Sequence, residues 1–493
     1  MAGKQGEEDL WQRHKAERGV WSEKMLMALE RGVKGAERSE TDSRRLPRRG
    51  GAAATSNVWF SLIDKVYSDW TLEKAWEKVK SNAGTCGVDG ITTGHFSKDS
   101  QNRLLAVKEH IKEGPWQPKP VKRVMIPKPG SAEMRPLGIP TVSDRVVQTA
   151  LKMVIEPIFE HEFAPQSYGF RPGRGCKNAL RRVDELLQSG LGHVVDVDIK
   201  GYFDSIPHDK LLKLVRERIA DGRVLKMIEA FLVQGVMAQS ETMDGYEMKE
   251  IEEMETGTPQ GGVISPLLAN IYLNPLDWQM SREGHQMVRY ADDMVILCPD
   301  AESAARVLQS LREWMAQAGL TLHPEKTKID SASLHPFGAA CRLSVSLRSA
   351  VDMGPPKAHF DFLGYRFWRS QSDGRVKRFI RPKSVRKLKE AIKPLTKRNN
   401  GHSLETIAER LKPMLRGFFG YFKHASVSAL CELDGWVRGR LRSILRKRAK
   451  LRGRGRGRDH QRWPNHYFVA LGLFSLENAR RAATTSLRKG ANC

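Results

Sequence analysis

The stretch Tyr290-Ala291-Asp292-Asp293 decides the fold, because it places two adjacent carboxylates between two apolar runs. The runs Met287-Val288 and Met294-Val295-Ile296-Leu297 both have the pattern of short strands, so the acidic pair is predicted to lie at a hairpin turn. Successive side chains of a strand point to opposite faces, and a turn is needed to aim both at one site. Two like charges there are costly unless a cation offsets them, and Mg²⁺ suits a site made of oxygen atoms.

A third carboxylate, Asp198, lies upstream at the end of another strand pattern. Residues 193–199 alternate between the two faces of a strand, and Lys200-Gly201 then breaks the alternation. Together with the acidic pair, Asp198 can hold two Mg²⁺ ions about 3.5–4 Å apart, as in phosphoryl-transfer sites. Asp196 shares a strand face with Asp198 and is a competing candidate. An isolated Asp-Asp pair is more often a solvated turn, so the assignment depends on its companions.

An ordered series of motifs accompanies the three carboxylates. In chain order the series is Gly87-Val88-Asp89-Gly90, Ile126-Pro127-Lys128-Pro129-Gly130, Arg135-Pro136-Leu137-Gly138, Tyr168-Gly169-Phe170-Arg171-Pro172-Gly173, Asp198-Ile199-Lys200-Gly201-Tyr202-Phe203-Asp204, Gly257-Thr258-Pro259-Gln260-Gly261-Gly262, the acidic hairpin, Leu322-His323-Pro324-Glu325-Lys326 and Phe362-Leu363-Gly364-Tyr365. Each motif alone is weak or moderate support, whereas the full series in this order is very specific. Over roughly residues 56 to 480 the chain resembles the reverse transcriptase–maturases encoded by bacterial group II introns.

The resemblance implies an α+β fold. The expected architecture is a right-hand polymerase, with fingers and with a palm of antiparallel sheet and flanking helices, followed by an α-helical thumb/maturase domain. We expect a basic N-terminal extension and linker at 1–55, fingers and palm at 56–380, the thumb/maturase domain at 381–451, and an Arg-Gly linker with a short C-terminal nucleic-acid-binding tail at 452–493. No Cys-x-x-Cys pair accompanies the histidines of the tail, so the resemblance is to the form without an HNH endonuclease domain.

Local patterns support this order of elements. The patterns predict a strand at 121–126, a helix at 144–159, a hairpin at Asp244-Gly245, an amphipathic helix at 302–318, and further helices at 384–395, 404–422 and 427–451. Strand patterns disappear beyond residue 380.

The bulk composition favours a large protein that binds nucleic acid. A chain of 493 residues is expected to form two or three domains. Its 82 Lys and Arg against 57 Asp and Glu give a formal net charge of +25, which favours a polyanionic partner. Residues 381–458 alone hold 23 basic and 5 acidic residues with interleaved aromatics, so nucleic acid is preferred over a membrane surface as the partner.

The cysteines and the apolar runs indicate the compartment. The six cysteines are scattered, without zinc spacing or a disulfide framework, so reduced thiols are expected. The longest uncharged run, residues 256–276, contains Pro, Gly, Gln and Asn, which argues against a membrane helix. We therefore expect a cytoplasmic protein, associated with the nucleoid when it acts on DNA, with no membrane partner. Its oligomeric state stays open.

The resemblance also assigns site residues. It implies two Mg²⁺ ions held by Asp198 and Asp292 as bridging ligands, with Asp293 as the weaker or outer ligand and Ile199 as a further metal-site residue. Phe203 resembles the aromatic gate that selects deoxynucleotides, although a core aromatic is the alternative on sequence alone.

Further residues are implied to bind nucleotide, primer and RNA. The nucleotide-binding set comprises Arg123, Lys128, Arg135, Phe203 and Gln260. The primer and template set comprises Lys326, for which a structural role is an equal alternative, and Phe362, Leu363, Gly364 and Tyr365. The RNA-binding set on the predicted basic helices comprises Arg416, Arg438, Arg442 and Arg446.

The expected function is therefore RNA-directed DNA synthesis for a group II intron. The enzyme would copy intron RNA into DNA during retrohoming and would bind intron RNA to assist splicing. Its partners would be the intron RNA template, a DNA target or primer, and dNTPs. One alternative is a domesticated relative acting in DNA repair or phage defence, with the same catalytic residues. Another is a splicing cofactor that binds RNA without polymerising, although that alternative requires a degraded active site, whereas Asp198, Phe203, Gln260 and the Asp-Asp pair are intact.

Overall fold

The computed structural model describes residues 58–127, 134–242, 245–251, 255–331, 359–369, 375–451 and 457–490. These residues fall into two compact units. The first unit contains the described residues up to Val124, with Leu137–Ala164 and Phe203–Asn274. The second unit contains the described parts of Met125–Pro136, with Pro165–Tyr202 and the chain from Pro275 onward. The predicted α+β class is confirmed, because strands and helices alternate before a helical C-terminal region.

The helices differ in length from single turns to six turns. In chain order they are α1 Ile63–Val66, α2 Asp69–Asn82, α3 Thr93–Lys98, α4 Ser100–Glu113, α5 Val142–Glu160, α6 Cys176–Gln188, α7 Tyr202–Ser205, α8 His208–Arg216, α9 Gly222–Leu232, α10 Ser265–Arg282, α11 Ala301–Ala318, α12 Pro382–Leu395, α13 Leu404–Phe422, α14 Val427–Arg448, α15 Gly457–Arg462, α16 Asn465–Ala470 and α17 Leu476–Gly490. Among these helices, none combines the length and the apolar composition needed to cross a bilayer.

The strands form three sheets. In chain order they are β1 Val121–Pro127, β2 Met134–Ile139, β3 His193–Val197, β4 Val236–Thr242, β5 Gly245–Ile251, β6 Gln286–Tyr290, β7 Asp293–Cys298, β8 Lys328–Ser331, β9 Phe360–Phe362, β10 Tyr365–Arg369 and β11 Val376–Ile380. The orders within the sheets are β2–β1–β4–β5, β6–β7–β3–β8 and β11–β10–β9.

The elements that local patterns predict are confirmed within a few residues. The strand at 121–126 is β1, the helix at 144–159 is α5, and the helix at 302–318 is α11. The three later helices are α12, α13 and α14, and the described chain beyond Ile380 contains no strand. The predicted hairpin joins β4 and β5, whose antiparallel ladder ends with Thr242 opposite Gly245. Asp244, which was predicted to form its turn, lies outside the described residues.

Helix α5 lies in the core of the first unit because its sequence carries an apolar stripe. Its valines and leucines at 146, 147, 151 and 154 are fully buried. Thr141 caps the helix by accepting a hydrogen bond from the amide of Asp144. The Asp144 carboxylate is buried but has partners, since it accepts hydrogen bonds from Trp116 Nε1 at 2.8 Å and from the Thr141 hydroxyl at 2.6 Å.

The sheet β6–β7–β3–β8 of the second unit positions the acidic residues. All of its neighbouring strands are antiparallel, and its central strands β3 and β7 are rich in buried valine, isoleucine and leucine. The β3–β7 register places Val197 opposite Met294. The residue after β3, Asp198, therefore lies beside the start of β7, where Asp293 stands.

One hydrophobic core in the second unit joins this sheet to the helical region. It runs from α6 through the palm strands to β9 and β10, and on to α12, α13 and α14. Phe360 and Phe367 stack in it with ring centroids 5.2 Å apart. The basic helices therefore pack on an apolar interior, as amphipathic patterns require.

Candidate active site

The acidic pair lies on a two-residue turn between β6 and β7. Tyr290 pairs with Asp293 across the ladder, which leaves Ala291 and Asp292 as the turn. Ala291 has φ of 60°, in the left-handed region that non-glycine residues seldom adopt. The turn interrupts strand alternation, as predicted, and lets neighbouring carboxylates serve one site. A backbone held in this region also indicates that surrounding contacts determine its conformation.

A buried ion pair contacts the backbone of this turn. Arg289 and Asp277 are both fully buried, and the guanidinium contacts both carboxylate oxygens, with Nε 2.7 Å from Oδ1. Arg289 Nη1 also donates a hydrogen bond of 2.9 Å to the carbonyl of Ala291. The sequence interpretation missed both residues. An arginine inside the apolar strand Met287-Val288-Arg289 was the available signal, because a charge buried there needs a partner.

A glycine allows a second segment to touch the turn. The amide of Tyr168 donates to the carbonyl of Arg289 at 2.8 Å, and the amide of Arg289 donates to the carbonyl of Gln166 at 3.0 Å. A Cβ atom at Gly169 would stand 2.2 Å from the nitrogen of Ala291. The close approach therefore requires glycine, which gives a physical reason for the motif Tyr168-Gly169-Phe170.

The third carboxylate is anchored beside a lysine. Asp198 follows β3, and its carbonyl accepts a hydrogen bond of 2.8 Å from the amide of His323. Lys326 Nζ lies 3.6 Å from Asp198 Oδ1, and both side chains remain partly open to solvent. Lys326, for which a structural role was an equal alternative, therefore places its charge at the acidic site. Ile199 is buried and bridges to Leu322.

The carboxylates influence one another electrostatically. Desolvation of its carboxylate, followed by the charges of Asp292 and Asp198, raises the pKa of Asp293 to about 6 although solvent reaches the side chain. Burial also raises the pKa of Asp292, where Arg135 and Asp198 act in opposite directions. Like charges that repel one another in this way destabilise the fold unless a cation offsets them.

Asp196, the competing candidate, lies within β3 rather than at its end. It stands opposite Val295 on one side and Lys328 on the other. Burial raises the pKa of Asp196 to about 7, while the charge of Lys328 opposes the rise. Asp196 therefore has a basic residue, Lys328, directly opposite it in the sheet.

The three carboxylates suit a divalent metal in their chemistry, although they do not form a complete coordination site. Among the described residues, no group of three or more His, Cys, Asp or Glu side chains is arranged to coordinate an ion as it stands. The carboxylates supply oxygen donors of the kind that Mg²⁺ prefers, and a bound cation would offset the desolvation and the like charges that raise the pKa of Asp293.

Phe203 and Gln260 belong to the first unit. Phe203 lies half-buried on the single turn α7, and its carbonyl accepts a hydrogen bond of 2.6 Å from the amide of Thr258. Gln260 Nε2 donates to Asp204 Oδ2 at 2.7 Å. Gly257 has φ of 89°, and a Cβ there would lie 2.7 Å from the Asp204 backbone. The two predicted nucleotide-binding residues thus lie on contacting segments.

The predicted triphosphate-binding residues lie on neighbouring strands. Arg123 is on β1 and Arg135 is on β2, as expected for a fingers hairpin. The charge of Arg135 lowers the pKa of Asp292, against its burial, so the guanidinium lies within electrostatic reach of the acidic turn. Lys128 lies outside the described residues.

The predicted primer-binding motif is a tight turn between two buried aromatic residues. Phe362 and Tyr365 are buried, and Tyr365 donates a hydrogen bond of 2.6 Å to the carbonyl of Tyr421. In return, Tyr421 donates to the carbonyl of Leu363 at 2.7 Å. Leu363 and Gly364 form the turn, with φ of 47° and 78°. The side chains of Phe362 and Tyr365 are therefore core, and the partly buried side chain of Leu363 packs against the same core.

Three of the four predicted RNA-binding arginines are not on an exposed face. Arg438, Arg442 and Arg446 form a stripe of α14 at i, i+4 spacing that faces the C-terminal segments. The first two are buried, and all three bond to protein groups. The partners are Asp434, the Trp463 carbonyl with Asn465, and Asp459. RNA binding by this stripe would need guanidiniums that face solvent, whereas here they satisfy carboxylates and carbonyls within the protein.

Arg416 behaves differently. It is exposed on α13, with its guanidinium carbon 5.7 Å from the centroid of the Phe474 ring. Other exposed basic residues lie on α12, namely Lys383, Arg386 and Lys387. Exposed positive charge therefore exists in this region, but mainly on residues that the sequence interpretation did not select.

The comparisons with known proteins identify the family. A family profile described as reverse transcriptase (RNA-dependent DNA polymerase) matches residues 126–367, and one described as group II intron, maturase-specific domain matches residues 385–463. Protein YkfC of Escherichia coli (strain K12) is 32% identical over 301 residues, which cover 53% of this chain and 76% of that protein. The chain belongs to the group II intron reverse transcriptase–maturase family. Polymerases of this kind generally use divalent metal ions.

Other relatives are longer or more distant. The group II intron-encoded protein LtrA of Lactococcus lactis subsp. cremoris is 38% identical over 205 residues, or 41% of this chain. The chain spans about a third of LtrA, since the match covers 32% of that protein. Among solved structures, a telomerase from Candida albicans aligns with a TM-score of 0.39 and 13% identity, over 71% of this chain and 63% of that chain.

The electrostatics of the turn predict a pH-dependent stability. Asp293, with a folded pKa of about 6 against about 4 when unfolded, takes up a proton on folding between these pH values. The folded state therefore loses stability as pH rises through this window. In metal-free buffer, Asp293→Asn should raise the midpoint of thermal unfolding at pH 7.5 and do so less at pH 5.

Calorimetry at the two pH values checks this expectation, with Glu302→Gln on α11 as a control for loss of an exposed charge. Adding Mg²⁺ at pH 7.5 should stabilise the unmodified protein more than the Asn variant. An equal midpoint for Asp293→Asn and the unmodified protein at both pH values would show that no charge repulsion is stored at the turn.

Proposed function

We propose that this protein is the RNA-directed DNA polymerase of a group II intron, copying intron RNA into DNA during retrohoming and assisting splicing by binding that RNA. One observation supports this most: Asp198, Asp292 and Asp293 meet at one end of an antiparallel sheet, in a chain of this family. The proposed partners are the intron RNA template, a DNA target or primer, and dNTPs. The predicted cytoplasmic location at the nucleoid belongs to the same proposal.

The acidic site would serve primer extension. Two bound Mg²⁺ ions would activate the primer 3′-hydroxyl and neutralise charge on the triphosphate. Asp198 and Asp292 are the proposed principal ligands, with Asp293 and Ile199 at the edge of the site. The protein's part is orientation, because the Lys326 ammonium lies beside Asp198 and the buried Arg289 holds the turn carbonyl.

A further set of residues would hold the nucleotide. Arg123, Arg135 and Lys128 would bind the triphosphate, since guanidiniums offer paired donors to phosphate oxygens and an ammonium offers a point charge. Gln260 would contact the incoming nucleotide. Phe203 would lie under the sugar, where a bulky ring clashes with a 2′-hydroxyl.

The domain assignment is part of the proposal. Fingers and palm would occupy 56–380, the thumb/maturase domain 381–451, and the nucleic-acid-binding tail 452–493, after the extension at 1–55. We propose that Arg416 and the exposed basic residues of α12 bind intron RNA. The arginines Arg438, Arg442 and Arg446 already bond to groups within the protein. RNA of this kind is recognised through phosphates, shape and stacked bases.

The metal proposal predicts that Asp198→Asn and Asp292→Asn each abolish extension of a DNA primer on an RNA template, leaving below about 1% of the rate, because an amide is a far weaker ligand for Mg²⁺. RNA binding should survive. Asp196→Asn, two residues earlier and within β3, is the matched control and should keep most of the activity. Primer extension and filter binding measure both properties.

Two results would change the proposal. Activity retained in Asp198→Asn would remove that residue from the metal site. An unmodified protein that binds intron RNA without extending any primer would instead favour the splicing cofactor that does not polymerise.

The gate proposal predicts altered sugar selection. Phe203→Val should open space beside the 2′ carbon, so ribonucleotide incorporation should rise by about 10-fold or more relative to deoxynucleotides, as expected when a clash worth roughly 1.4 kcal/mol is removed. Phe203→Tyr retains the bulk and should remain selective. Single-nucleotide incorporation assays measure the ratio. Unchanged discrimination in Phe203→Val would show an ordinary half-buried ring.

The RNA proposal predicts a change in salt dependence. Arg386→Gln combined with Lys387→Gln should weaken intron RNA binding at physiological salt and lower the log–log salt slope by about 1.5, as each lost phosphate contact lowers it by roughly 0.7–0.9. The control is Arg306→Gln with Arg312→Gln, which removes two exposed charges from α11. Affinity across a salt series measures both. Equal slopes in the two double variants would place intron recognition elsewhere.

A further inference from the structure

Phe170 is an exposed aromatic residue in an unfavourable backbone conformation. Its side chain is 46% exposed, and its φ of 56° lies in the left-handed region. A bulky non-glycine residue seldom adopts this region, because the side chain crowds its own backbone. Folding alone would favour glycine or asparagine there. A large apolar ring that is both strained and open to water therefore needs a reason, and such residues occur most often at functional sites.

The segment around Phe170 cannot move away from the catalytic turn. On one side, the hydrogen bonds between residues 166–168 and Arg289, with the close approach of Gly169, attach it to the hairpin. On the other side, Arg171 is buried and its Nη1 donates to the carbonyl of Ser167 at 2.9 Å. These contacts on both flanks determine the position of the Phe170 backbone.

The ring stands next to the acidic hairpin. Its centroid lies 6.5 Å from that of Tyr290, the residue that opens the acidic stretch, and the planes are inclined by 39°. This separation is near the upper end of aromatic pairing, so Tyr290 covers little of the ring. The exposed part of the ring therefore lies beside the strand residue that precedes the acidic turn, and it is available to a flat apolar partner.

The charges nearby suit a nucleic acid. Arg174 follows in the same loop, with its guanidinium carbon 5.7 Å from the Tyr168 ring centroid, and Lys177 is exposed on α6. An aromatic face with basic side chains around it is the usual platform for a base with its phosphates.

We propose that Phe170 is a binding residue that stacks on a nucleobase held at the catalytic hairpin. The proposal rests on the proposed polymerase function and adds to it a contact with a base, beside the contacts with phosphate, sugar and metal. The loop that is locked onto the hairpin keeps the ring at a constant position relative to the acidic residues. The stacked base comes from the end of the primer–template duplex or from the incoming nucleotide, which share the same aromatic chemistry.

Three variants at this position separate stacking from packing. Phe170→Leu keeps the apolar volume and the same backbone strain but removes the ring, whereas Phe170→Tyr and Phe170→Trp keep a ring. The Leu variant should lose about 10-fold in affinity for the stacked partner, in line with one lost base–aromatic contact, and the two aromatic variants should stay within about 3-fold of the unmodified protein. Midpoints of thermal unfolding should agree within about 2 °C. Phe60→Leu, at a ring that is 75% exposed in the first unit, is the control.

Two measurements identify the source of the base. A primer–template duplex carries 2-aminopurine at the primer terminus or at the opposing template position, and stacking quenches its fluorescence. Single-nucleotide kinetics report the KM for dNTP and kcat separately. Loss of quenching and of duplex affinity in the Leu variant would identify a base of the duplex, and a raised KM with unchanged duplex affinity would identify the incoming nucleotide.

Several outcomes would overturn the proposal. The proposal is wrong if the Leu variant and the unmodified protein show equal quenching, equal duplex affinity and equal KM. It is also wrong if the Tyr and Trp variants lose as much affinity as the Leu variant. A fall in thermal midpoint that accounts for the lost binding would give the ring a packing role only. If the unmodified protein extended no primer, the proposed function would fail, but quenching and affinity with the duplex would still test the stacking on their own.

Discussion

The buried pair of Arg289 and Asp277 is the interaction on which the acidic site depends. Both side chains are fully buried, and the guanidinium also binds the carbonyl of Ala291. Replacing such a pair by apolar residues is often neutral, whereas losing one partner leaves an uncompensated charge that costs about 3–5 kcal/mol. The pair therefore contributes position more than stability. The ion pair keeps Ala291 at a positive φ, and the conformation of this turn determines the positions of Asp292 and Asp293.

The acidic site stores unfavourable energy that the rest of the second unit offsets. Desolvation and like charges raise the pKa of Asp293, and a divalent cation would relieve the repulsion. The continuous core from α6 to α14 supplies the apolar burial that makes such strain tolerable. Backbone strain appears as well, at Ala291 in the turn and at Phe170 in the segment attached to the hairpin. Both departures from local preference thus lie within one small region, as expected where function and stability compete.

The distribution of positive charge shows that net charge and binding surface are different properties. The surplus of 25 charges suggested a basic face, but Arg438, Arg442 and Arg446 act inside the protein. Arginine suits this role, because its planar fork satisfies a carbonyl and a carboxylate together while its charge stays weakly hydrated. A stripe with i, i+4 spacing has the same pattern whether it faces RNA or faces the C-terminal helices. Composition supports a polyanionic partner without stating which residues meet it.

The sequence by itself determined the order of elements and the positions of Asp198, Asp292 and Asp293, because strand alternation and turn residues are local properties that neighbouring residues encode. It also determined the family, through motifs whose order is specific even though each is short. Only the tertiary structure decided that Arg289 is paired with Asp277, that Phe362 and Tyr365 are core, and that the α14 stripe is internal. It likewise decided that Lys326 stands beside Asp198. These facts depend on contacts between residues distant in the chain, and periodicity cannot state which segment covers a given face.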